Sequence, residues 1–114
     1  MRVLLDESVP VQVRGALQDH SVATAVEMGW RGISNGELLN RAEAEGFQLV
    51  IVADKNLRHQ QNLTKRRIAI LELWTNHRPT LEQHFVHIRD RVQSTTSGEY
   101  MVLEQEGEQP CGVA

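Results

Sequence analysis

The sequence has one cysteine in 114 residues, Cys111, which excludes an internal disulfide and fits a reducing compartment. No apolar run approaches the roughly 18 residues that a membrane-spanning helix needs, so no membrane partner is expected. The opening residues, MRVLLDES, lack the long apolar segment and small-residue cleavage site of a signal peptide. A cytoplasmic protein is the expectation. Internal repeats and low-complexity segments are missing, and no nucleophile elbow occurs. The stretch GWRG has only two glycines and follows no strong strand, so it is no phosphate loop of the Walker or dinucleotide kind. Lys and Arg are absent after Arg91, where Glu99, Glu104, Glu106 and Glu108 make an acidic end expected to be solvated.

What is present is unevenly placed. The net charge is -3, yet Arg58, Lys65, Arg66, Arg67, Arg78, Arg89 and Arg91 crowd the middle of the chain, a region suited to meeting phosphate. An apolar fraction of 40% and a length of 114 residues allow one small domain with its own core.

RVLLD reads as a short buried strand. VPVQVRGALQDH carries Val13, Ala16, Leu17 and His20 at helical spacing, with Pro10 suited to a first turn. SVATAVE reads as a weaker, alternating strand, and MGWRGISNG as a loop holding Trp30. SNGELLNRAEAEG predicts a helix opened by Ser34 and closed at Gly46. FQLVIVAD is the strongest strand, apolar on both faces in the manner of a central parallel strand. A short helix, KNLRHQQNLT, and a second buried strand, IAILEL, follow. PTLEQHFVHIRDRVQ predicts one amphipathic helix with Leu81, Phe85, Ile88 and Val92 on its stripe. EYMVLE is a candidate late edge strand. Strands alternating with helices predict an α/β three-layer sandwich around a mostly parallel sheet.

Ligands in such folds bind beyond the carboxyl ends of the strands. Asp6 and Asp54 each stand directly after a strongly apolar strand, and on neighbouring strands they share one rim. Two close carboxylates repel unless a cation holds them. The hard ions Mg2+ and Mn2+ suit oxygen ligands, activate water and steady charge on a phosphodiester. Glu37 is the third acid, with two readings level: metal ligand, or half of a Ser34–Glu37 capping box. Glu7 points to the opposite face from Asp6 if the strand runs on, which favours Asp6 as the ligand.

The segments MRVLLDESVP and GWRGISNGELLNRAEAEGFQLVIVADKNL resemble the compact bacterial PIN-like domains, relatives of the PilT N-terminal and VapC-type nucleases. An opening LLDEN-P motif, an S-D-x-E helix start and a T-x-D-x-D-F motif occur there in this order. The resemblance spans roughly residues 1–92 and implies a PIN-like α/β sandwich over residues 1–93. Residues 94–114 would then supply a connector, an edge strand and an acidic tail. It implies an Mg2+- or Mn2+-dependent ribonuclease, with an RNA substrate, an antitoxin protein as the restraining partner of a toxin, and pairing into a homodimer. Asp6, Glu37 and Asp54 match the family acids and become the catalytic and metal-binding candidates. Asn56 stands where the family has a second Asp and Asn35 where it often has one, while Leu57 replaces the motif's Phe. An Asn ligates a hard metal through its amide oxygen without adding charge. These departures support a second reading, a binding or interaction module that keeps the fold and has lost the chemistry. A third, a receiver-like signalling domain, has the acids after its first and third strands in its favour and no Lys after IAILEL against it.

Arg58, Lys65, Arg66 and Arg67 are the candidate RNA-binding residues, since phosphate contacts need only charge and reach. A solvated turn is the plainer reading of the last three. His84 and His87, three apart on one predicted helix, have a workable ligand spacing but flank a core stripe without an acid partner. Trp30 and Trp74 read as core or interface aromatics, with base stacking on Trp30 the functional rival.

Overall fold

In the computed structural model, residues 1–53 and 67–103 are described. Five strands form one parallel sheet: β1 (Arg2–Leu5), β2 (Ser21–Thr24), β3 (Leu49–Val52), β4 (Ala69–Leu73) and β5 (Tyr100–Leu103), in the order β2-β1-β3-β4-β5. All four pairings are parallel. The protein is therefore an α/β fold, with helices on both faces of the sheet. The short helix expected over KNLRHQQNLT and the residues after Leu103 lie outside the described residues.

The inner strands are apolar on both sides because each face meets its own layer. Val3, Leu5, Leu49, Ile51, Leu71 and Met101 join Val13, Leu17, Leu81, Ile88 and Val92 in one core. Leu4, Val50, Val52 and Ile70 join Trp30, Leu38, Leu39 and Ala42 in the other. Each fully buried Leu or Ile contributes roughly 1.5–3 kcal/mol. On the second face lies α1 (Asn35–Ala44), where Ser34 Oγ accepts the Glu37 amide at 3.2 Å. Gly46, at φ +84°, turns the chain out of this helix and towards β3.

Two expected helices take other forms. After Pro10 the chain makes only a 3₁₀ segment, Val11–Ala16, which buries Val13 and Ala16. The helical piece itself is only six residues long, too short to favour a stable α-helix, and 3₁₀ geometry serves such short pieces. The C-terminal amphipathic stretch is two helices, α2 (Arg78–Glu82) and α3 (Phe85–Gln93). The break has a visible cause. His84 Nδ1 sits 2.9 Å from the Thr80 carbonyl, the acceptor that the His84 amide would use in a continuous helix. That amide bonds the Leu81 carbonyl instead, at 2.9 Å. The Leu81, Ile88 and Val92 stripe survives the break, fully buried.

The β2–β3 and β4–β5 crossovers step the same way along the sheet but run over opposite faces. They therefore have opposite hands, and one departs from the right-handed preference of parallel crossovers.

Candidate functional site

The chain moves from β1 to β2 on one side and then to β3 on the other, so the strand order reverses between β1 and β3. In open α/β sheets the crevice beyond the carboxyl ends at such a reversal is where ligands bind. Leu5 pairs with Ile51, and the Asp6 amide donates to the Ile51 carbonyl at 2.9 Å. Asp6 thus stands at the reversal, half-buried.

Ser8 fixes its orientation. Asp6 Oδ2 accepts the Ser8 amide at 3.1 Å and the Ser8 hydroxyl at 2.5 Å. Ser8 Oγ in turn accepts the Ala53 amide at 3.1 Å, tying the end of β1 to the end of β3. Oδ1 of Asp6 accepts no hydrogen bond among the described residues. This role of Ser8 depends on the pairing of two strands, its partner amide lying 45 residues further along the chain.

Glu7 does not continue a strand, which ends at Leu5; its Oε1 accepts the Gly32 amide at 3.1 Å and braces the Trp30 loop. Glu37 is exposed, and its Oε2 pairs with Arg41 Nε at 2.8 Å, one turn along α1. Ser34 thus caps the helix, while the Glu37 carboxylate is engaged by Arg41. Asn35 lies in the first turn of the same helix.

Asp54 follows Ala53 directly in the chain and, with Asn56, Leu57, Arg58, Lys65 and Arg66, lies outside the described residues. Among those described, no group of three His, Cys, Asp or Glu side chains lies close enough to hold a metal ion. Asp6 fits a hard cation in its donor type and its spare oxygen. Arg67 falls at the other end of the sheet, before β4. Five residues of strand, at about 3.3 Å each, put it roughly 16 Å along the strand direction from the level of Asp6. Trp30 is 8% exposed and meets Phe47 edge-on at 6.2 Å, so it serves the core. Trp74 packs against the other core and edge-on against His84, with centroids 5.1 Å apart.

One residue escaped the sequence reading. Glu72, on β4, is 1% exposed and is the one buried charged residue among those described. It pairs in register with Val52, so it lies level with Asp6, two strands away. The Tyr100 hydroxyl donates to its Oε1 at 2.6 Å. The only available signal was an acid interrupting a strand otherwise apolar on both faces.

No helix among the described residues is long and apolar enough to cross a membrane. Compared with protein-family models, curated proteins and solved structures, the chain matches none of them.

Proposed function

We propose that this chain is a PIN-like, Mg2+- or Mn2+-dependent ribonuclease that hydrolyses phosphodiester bonds of single-stranded RNA, of the kind found as toxins beside an antitoxin. The observation that carries this reading is the β1–β3 pairing, which sets Asp6 at the strand-order reversal while β3 ends at Val52, two residues before Asp54 in the sequence. A divalent ion there would activate water and offset the charge that develops on the phosphate. Asp6 contributes a carboxylate with one oxygen oriented by Ser8 and the other without a hydrogen bond among the described residues. Asp54 and the amide oxygen of Asn56 are the further ligands on this reading. Glu37 joins only by leaving Arg41, an exposed pair of the kind worth about 0.3–0.5 kcal/mol. Arg58, Lys65, Arg66 and Arg67 would hold the RNA backbone, with Arg67 engaging nucleotides away from the scissile bond.

The test is cleavage of single-stranded RNA by purified protein with and without Mg2+ or Mn2+. Cleavage should require the metal and disappear in Asp6→Asn. Equal cleavage by that variant would assign the activity to a contaminant.

A second reading, a module that keeps the fold without the chemistry, is favoured by the Glu37–Arg41 pair together with the uncharged Asn35 and Asn56. Calorimetric titration with Mn2+ separates the two, since a site short of charge gives little heat. The strand order 2-1-3-4-5 is also that of receiver domains. A gain of one phosphate in intact mass, after incubation with a small phosphodonor, would move the assignment there.

A further inference from the structure

The carboxyl end of the sheet carries a second polar cluster, beyond β4 and apart from Asp6. The His84 ring sits with Nδ1 against the Thr80 carbonyl. A carbonyl only accepts, so Nδ1 carries the proton and Nε2 of the neutral ring keeps its lone pair. Anchoring one ring nitrogen on a backbone carbonyl is how metal-ligating histidines are oriented. Nε2 makes no hydrogen bond among the described residues. His87 is exposed and lies next along the same face of α3, with its ring centroid 5.6 Å from that of His84 and the planes tilted by 33°. Two imidazoles sharing one ion at about 2.0–2.1 Å place their centroids about 5 Å apart. His87 is exposed, and rotation of its side chain is what would bring a second nitrogen to the same ion.

We propose that His84 and His87 form a two-imidazole site for a borderline divalent transition ion, Cu2+, Ni2+ or Zn2+. Imidazole nitrogen suits these ions, whereas Mg2+ and Mn2+ prefer oxygen, so the site is chemically distinct from the one proposed at Asp6. No third His, Cys, Asp or Glu among the described residues completes it. The remaining coordination positions fall to water or to a small chelating ligand that arrives with the ion.

Trp74 makes the site readable, because its ring meets the His84 ring edge-on at 5.1 Å. Titrating Cu2+ or Ni2+ into the protein at neutral pH should quench the Trp74 share of the fluorescence and leave that of Trp30, buried in the other core. His87→Ala should raise the midpoint at least about tenfold, while His77→Ala and Asp6→Asn leave it unchanged. Zn2+, which does not quench, should raise the melting temperature of the wild type and not of His87→Ala. His87 is exposed, so far-ultraviolet circular dichroism of that variant should match the wild type. An unchanged midpoint in His87→Ala would put the ion on another donor, such as His59 or the terminal amine, and overturn the proposal. Undiminished quenching in Trp74→Phe would do the same.

Discussion

At the N-terminal end of the sheet, Gln48 Oε1 accepts the Arg2 amide at 3.0 Å, and Glu43 Oε2 accepts the amides of Arg67 and Ile68 at 3.0 and 3.2 Å. Ser97 Oγ donates to the Arg67 carbonyl at 3.0 Å, and the Arg2 guanidinium bonds the Glu45 carbonyl while lying 4.3 Å over the Phe47 ring. These side chains close the backbone where strands begin. At the carboxyl end, Asp6 gives one oxygen to Ser8 and, among the described residues, keeps the other, at the point where strand order reverses. An acid beside a strand is thus not informative by its position alone. What separates a cap from a reactive group is how many backbone donors it already satisfies.

That contrast can be broken from either end. The largest effect belongs to Asp6→Asn, which should abolish RNA cleavage, whereas Glu43→Ala should leave it intact. Next comes Tyr100→Phe, which removes a donor from the buried Glu72 carboxylate. Hydrogen bonds to charged groups contribute about 1.5–3 kcal/mol, so urea unfolding should register a loss of that order. A loss under about 0.5 kcal/mol would mean that other partners of Glu72 carry its burial. Glu43→Ala should cost about 1–2 kcal/mol, because the buried Ile68 loses the acceptor of its amide.

The smallest effect is expected at Glu27, a cap on the carboxyl side that shows the two roles side by side. Its carboxylate accepts the Thr24 amide at 3.0 Å and pairs with Arg14, and these contacts, the amide first, hold its pKa below the usual 4.5. A depressed pKa contributes stability above the usual carboxylate range, and that contribution fades as pH falls through the folded value. Glu27→Gln should therefore flatten the loss of stability below about pH 4.5 without touching cleavage. An unaltered acid limb would show that solvent screening removes the effect.

Much of the frame was legible because burial writes itself into composition. LVIV, and AILEL apart from Glu72, are apolar on both faces since both faces are covered, and Ser34 and Gly46 bracket α1 by local backbone chemistry. The break at His84 was not legible, since an unbroken apolar stripe conceals a side chain taking a helix carbonyl. Nor was the Ser8 bridge, which exists only once Leu5 has met Ile51. Glu37 shows the limit most directly: S-x-x-E fits a cap and a ligand alike, and only the position of Arg41 shows how its carboxylate is engaged.

β5 has a consequence for how safely this chain folds. It is a four-residue edge strand whose pairing covers β4, every residue of which is buried. Until Tyr100–Leu103 dock, the bare edge of β4 is an apolar template open to any other extended chain. A nascent or proteolytically clipped molecule lacking Tyr100–Leu103 would therefore be prone to self-association before it was merely less stable.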